Sequence, residues 1–298
     1  MIALDAPRDR DSHTVADFAE MLCLLNLDRV CTRELIRDRM RDVGDTKIED
    51  NELEDAFSQL AWRVSAFEDS YPFVLQRGRA LVAPQQLTDW QKLYVLLLMC
   101  ANLPFLRDQT TSLTAAFERV SLSALRAIWP AGGVVRPFGK TETVYTGSKW
   151  ERLNRLASDI GAYGACTEQH FRKADSGDGG IDLMAALPLD PHERRNIPSL
   201  LGQCACSRDQ WVAKQNEISV GRLSSHQIHP THPWLQALMI PHSFRDSHGS
   251  WAVLGDIGQT ILFDRLRILR PLGPNVDWDR IGRPPELTTF LQSSLPMV

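Results

Sequence analysis

Long apolar runs are missing from this chain. The longest, Tyr94 to Ala101, is far shorter than the ~20 residues a helix needs to cross a bilayer, so a helical membrane span is excluded. An excess of positive charge is missing too. Thirty-three Lys and Arg against 37 Asp and Glu leave a net charge of −4, so no global basic field draws a polyanion, and any nucleic-acid contact must come from a local patch. The six cysteines, at 23, 31, 100, 166, 204 and 206, follow no framework spacing. That argues against a disulfide scaffold and suits a reducing cytosol. Internal repeats and low-complexity tracts are absent. The start, Met1 to Arg10, is charged and unlike a secretory signal. The expected location is cytoplasmic, with no membrane partner.

What is present is a globular composition, 43% hydrophobic and 23% charged over 298 residues, long enough for one large or two moderate domains. Residues from about 12 to 130 read as mostly helical. Val15, Phe18, Leu22 and Leu25 fall at helical spacing, and Thr32 is a candidate N-cap for a helix through Leu35, Ile36 and Met40. Asn51 with Glu54, and Thr88 with Gln91, read as capping boxes. Two short β segments flank Gln76-Arg77-Gly78-Arg79, and Pro104 stops the helix before it. Three helices followed by a hairpin also describe a winged-helix module with Arg77 and Arg79 at the wing tip, a potential nucleic-acid contact. The alternative is a helical domain that packs on the rest of the chain or on a partner. Breakers cluster between Pro130 and Lys140. The division is therefore placed between 135 and 136: an N-terminal helical domain for partner or nucleic-acid recognition at 1–135, and a second domain at 136–298.

The second domain holds the most informative stretch, Gly177-Asp178-Gly179-Gly180-Ile181-Asp182-Leu183-Met184-Ala185, followed by Leu200-Leu201-Gly202-Gln203-Cys204-Ala205-Cys206. These read as two hydrophobic strands. The first carries an acidic residue at its start, after a glycine-rich turn. The second carries Gln203 within an apolar run, where an unpaired amide is expensive. An upstream helix carries Glu151, and a weak strand is expected near Ala165 to Phe171. Later segments read as a strand between Pro233 and Pro241 and a strand or helix at Thr260 to Leu269, whose arginines suit buried ion pairs with Asp264 or phosphate contacts.

This layout resembles the PD-(D/E)XK, restriction-endonuclease-like nucleases, and is similar to their Mrr-like branch, whose strand motifs run G-x-D and Q-x-K. The resemblance implies an α/β (α+β) core, a mixed central sheet flanked by helices, behind the N-terminal helical domain. It implies a nuclease that hydrolyses phosphodiester bonds of nucleic acid, DNA before RNA, with Mg²⁺ or Mn²⁺. Hard oxygen ligands then come from Glu151, Asp182, Gln203 and the Cys204 carbonyl, with Asp178 as an accessory. A role in bacterial restriction or anti-phage defence, beside a partner ATPase or sensor protein and with room for a homodimer, is also implied by the resemblance alone.

One position departs from the family. The Lys two residues after Gln203 is replaced by Ala205, which can neither orient water nor stabilise charge. Lys214, in the helix that follows, is the candidate substitute, with Arg208 and Lys173 behind it; Arg208 is also a candidate nucleic-acid contact. Two other readings remain open. Gly-Asp-Gly-Gly is also a plain turn, and a degenerate site would leave a nucleic-acid or protein binding module. The histidines at 226, 229, 232, 242 and 248, with Cys204 and Cys206, offer zinc-type ligands without a Cys-x-x-Cys pair.

Overall fold

The computed structural model describes residues 4–106, 110–139, 144–172, 177 and 179–295. Helix α1, Ser12–Leu25, starts on Asp11, whose carboxylate accepts from the His13 and Thr14 N–H groups. Strand β1, Val30–Thr32, runs into α2, Arg33–Gly44, where Thr32 is the N-cap that the sequence predicts. Helix α3, Asp50–Phe67, opens on a capping box formed by Glu49 and Glu52. The box lies two residues before the predicted Asn51–Glu54 pair, because Glu54 is inside the helix and drawn into an ion pair with Arg33 at 2.7 Å. Strands β2, Val74–Gln76, and β3, Ala80–Val82, form the expected hairpin, with β1 completing an antiparallel sheet in the order β1-β3-β2. Helix α4, Asp89–Ala101, keeps the predicted Thr88–Gln91 box. Helix α5 is Thr110–Ile128.

Strand β4, Val134–Pro137, follows, inside the stretch that the sequence marks as a linker. It is a half-buried edge strand between Gly132-Gly133 and its own Pro137, and an edge position tolerates a proline that has no N–H to donate. Helix α6 is Lys149–Asp159 and β5 is Ala162–Gly164. The strand expected at 165–171 is not formed. Glu168–His170 is a 3-10 turn, closed by the Thr167 N–H on His170 Nδ1 at 3.0 Å, a local bond that competes with strand pairing. Then come β6, Leu183–Ala186, β7, Ser199–Cys204, α7, Trp211–Lys214, α8, Val220–Ser224, β8, Ile228–Pro230, and β9, Leu235–Met239. The chain ends through β10, Ile261–Phe263, α9, Arg265–Leu272, α10, Trp278–Ile281, and α11, Pro285–Gln292. Thr260 to Leu269 is thus a strand and then a helix.

The chain forms two compact units. One gathers residues 4–117, 241–254 and 264–295; the other holds 118–240 and 255–263. The sequence division falls between 135 and 136, whereas the units change over between Phe117 and Glu118.

The first unit is mainly helical and contains the β1-β3-β2 sheet. Four of its buried charges, Asp17, Glu20, Arg63 and Arg265, form one cluster. Arg63 Nη1 lies 2.7 Å from Asp17 and 2.8 Å from Glu20, and Arg265 Nη2 lies 3.2 Å from Asp17. Tyr71 and Tyr94 donate to Glu20 at 2.7 and 2.9 Å. Burial works against both guanidinium charges, but Glu20 and Asp17 overcome it and hold the arginines protonated. The structure therefore gives the ion-pair role to Arg265, and pairs Asp264 with Arg245 at 2.8 Å.

The second unit is built on a five-stranded mixed sheet in the order β10-β9-β7-β6-β4. Strands β4, β6 and β7 are antiparallel neighbours; β7, β9 and β10 run parallel. A parallel return needs a crossover, supplied between β7 and β9 by residues 205–234. Leu153, Leu156 and Ala157 of α6 pack in one cluster with Met184, Ala186 and Leu201 of the sheet, matching the i, i+3, i+4 spacing of an amphipathic helix.

Candidate functional site

Asp182 stands immediately before β6 and is fixed by its backbone on both sides. Its N–H donates to Gly202 O at 2.9 Å, and its carbonyl accepts from Phe138 N at 2.7 Å and Gly139 N at 3.2 Å. The side chain is fixed too, because Oδ2 accepts from the Cys204 N–H at 2.7 Å. The contact between Cys204 and Asp182 thus runs through the Cys204 N–H.

The other carboxylate oxygen lies on the Gly139 side. A Cβ built on that glycine would stand 3.6 Å from Asp182 Oδ1 and 3.3 Å from Glu118 Oε2. Two carboxylates, one from the strand start and one from α5, therefore both come within contact range of Gly139. Both are half-buried. Their combined field reaches the Cys204 thiol: burial, then the charges of Asp182 and Glu118, hold its pKa well above the ordinary thiol value, against the opposing Ser121 hydroxyl. Cys204 is therefore a neutral thiol.

Glu118 is the residue that the sequence reading misses. It lies in a helix assigned there to the N-terminal domain, while Glu151 holds the acidic role. Glu151 instead closes the capping box of α6, accepting from the Ser148 N–H and hydroxyl at 2.8 Å each. Those two bonds lower its pKa. The available signal was positional: once Val134–Pro137 is taken as the first strand of the sheet, the helix before it is α5.

Gln203 is 3% exposed and sits in β7 as expected. Its Nε2 donates to Glu217 Oε2 at 2.5 Å, and its Oε1 is buried without a hydrogen-bond partner. Glu217 is pressed against Gly180, whose φ of +83° and whose absent Cβ, which would lie 2.6 Å from Glu217 Oε2, both require glycine. Ala205 donates its N–H to Met239 O at 2.9 Å and adds no polar side chain. Lys214 is the last residue of α7 and half-buried, with no side-chain hydrogen bond or ion pair among the described residues. Arg208 is half-buried; Arg77 and Arg79 are exposed at the β2–β3 turn. Asp178 and Lys173 lie outside the described residues.

Among the described residues, no group of three or more His, Cys, Asp or Glu side chains is arranged to hold a metal ion. That removes support for a zinc site on His226, His229, His232, His242 and His248, since zinc takes four such ligands. It leaves room for Mg²⁺, which keeps several waters and is commonly held by one or two carboxylates. Asp182 and Glu118, two hard-oxygen carboxylates that both approach Gly139, fit that demand. A separate pocket of about 160 Å³ opens near the far end of β6, lined by residues including Arg136, Asp159, Met184 and Arg194. Its Asp159 is occupied by Arg136 and Tyr145, at 2.8 and 2.7 Å.

No protein-family model, curated protein or solved structure matches the chain. Among the described residues, no helix is long and apolar enough to cross a membrane.

Proposed function

We propose that this protein is a nuclease dependent on Mg²⁺ or Mn²⁺ that hydrolyses phosphodiester bonds, in DNA before RNA. The observation that carries the reading is the convergence of Asp182 and Glu118 over Gly139, with Asp182 pinned by the Cys204 N–H. The chain order around it supports the resemblance: a helix with Glu118, three antiparallel strands with Asp182 at the start of the second, then a crossover to a parallel strand. Glu118 takes the acidic role first given to Glu151.

Asp182 and Glu118 would hold the ion by one oxygen each. Bound there, it would polarise the scissile phosphate and acidify a bound water. The Cys204 N–H holds Asp182 Oδ2 and so fixes the orientation of the carboxylate, with Oδ1 on the Gly139 side. Lys214, with no partner of its own among the described residues, is the candidate to orient the water or to stabilise the developing charge.

The competing reading is a nuclease-fold binding module without catalysis. Ala205 at the lysine position favours it, as does the bond that commits the Gln203 amide to Glu217. A cytoplasmic role in restriction or anti-phage defence, with a partner ATPase or sensor and a homodimeric assembly, rests on the resemblance.

The test is incubation of plasmid DNA and single-stranded RNA with Mg²⁺ or Mn²⁺, with and without EDTA, beside Asp182→Ala and Glu118→Gln. Metal-dependent cutting lost in both variants is expected. Full activity in Asp182→Ala overturns the site, and a folded wild type that never cuts favours the binding module.

A further inference from the structure

The β2–β3 hairpin of the helical unit has a tip that is costly to build. Arg77 has φ +50° and Gly78 φ +67°, and Arg79 N–H donates to Gln76 O at 3.0 Å. Positive φ at both central residues makes this a type I′ turn, whose first position favours Asn, Asp or Gly. An arginine there is held in left-handed backbone, and such strain points toward a use for the side chain. Gln76, Arg77 and Arg79 are all exposed. The turn is also braced: Arg33, which stacks on Phe57 with 4.7 Å to the ring centroid and pairs with Glu54, donates to Gly78 O at 3.4 Å.

The helix beside the hairpin has the opposite character. On α3 the exposed residues include Asn51, Glu54, Asp55, Ser58 and Ser65, with no exposed Lys or Arg. The arginines of α2 are largely committed, Arg37 to Asp50 and Arg41 to Asp38 and Asp42. A phosphate backbone would be repelled along α3 and attracted at the hairpin tip.

We propose that the helical unit holds duplex DNA through the β2–β3 tip, with Arg77 and Arg79 on the phosphates and α3 turned away from the nucleic acid. The proposal rests on the reading of the chain as a nucleic-acid enzyme, but it concerns a surface separate from the carboxylate pair. Binding dominated by two guanidinium–phosphate contacts carries no base readout, so it should be independent of sequence.

The test is fluorescence anisotropy of a labelled 20-base-pair duplex with the full-length Asp182→Ala protein in EDTA, so that holding is read apart from cutting. Adding Arg77→Ala and Arg79→Ala should weaken binding by roughly tenfold or more, and should reduce the slope of log Kd against log salt by about 2. Adding Asn51→Ala and Ser58→Ala instead should leave Kd within about twofold. Unchanged affinity and slope in the arginine variant overturn the proposal, as does weakening confined to the α3 variant. A protein that binds no duplex at all overturns it too, and would leave the tip to an acidic protein partner. Cleavage of plasmid by the wild type and not by Asp182→Ala, alongside any of the overturning results, would show that the carboxylate site stands while the hairpin proposal falls.

Discussion

Glycine 139 sets the residue scale of the proposed chemistry. It is buried, its φ lies outside the left-handed region, and its hydrogen atom stands where a methyl group would meet Glu118 Oε2 and Asp182 Oδ1. Gly139→Ala should therefore fold normally and bind Mn²⁺ on the order of 10–100-fold more weakly, the range seen when a neighbour of a metal ligand is disturbed. Titration calorimetry beside a thermal melt checks this; wild-type affinity would remove Gly139 from the site. Glu151 makes the complementary case. Its carboxylate caps α6, so Glu151→Ala should keep the cleavage rate that Glu118→Gln loses, and a rate lost in Glu151→Ala would restore the first assignment. Asp182 was legible from sequence because a carboxylate between a glycine turn and an apolar strand has few structural excuses. Glu118 was not, because a lone acid on an amphipathic helix looks like any solvated residue until the sheet shows what it faces.

Among elements, β7 does the most positioning. Its Gly202 carbonyl and Cys204 N–H both bond Asp182, and it pairs with β6 on one side and β9 on the other. Leu201, fully buried, packs with α6 from this strand. Leu201→Ala should cost about 2–5 kcal/mol, the usual range for a large core truncation. Urea unfolding should show it, and a loss below 1 kcal/mol would mean the strand is held by its hydrogen bonds rather than by packing. Both β6 and β7 could be read from their apolar runs and flanking turns. Strand β4 could not, since Val134, Val135 and Arg136, half-buried between Gly133 and Pro137, give no period-two pattern. Gln203 was correctly singled out as needing a partner, but spacing could not reveal that the partner would be Glu217, which comes from the crossover beyond α7.

At the scale of the whole molecule, the helical unit is the product of distant parts of the chain. Arg265 reaches Asp17 across 248 positions of sequence and is entirely buried there. Removing one partner of a buried pair strands the other charge, so Arg265→Met should destabilise that unit by about 3–5 kcal/mol. In a double-mutant cycle with Asp17→Asn, the combined loss should be smaller than the sum of the single losses. Additive losses would show that Arg265 acts through packing alone.

The same buried quartet bears on how the protein is made. Until Arg265 has been synthesised, Asp17 and Glu20 face a single arginine, and the nascent helical unit would have to bury one uncompensated negative charge. Leu25, whose carbonyl accepts from Leu295 N–H at 2.9 Å, waits longer still. The first 117 residues should therefore stay open until the later segments that balance their buried charge have been made. Fragments cut at the apparent linker would inherit the problem permanently: the amino-terminal piece expressed alone should be insoluble or molten, however domain-like its helices look on paper.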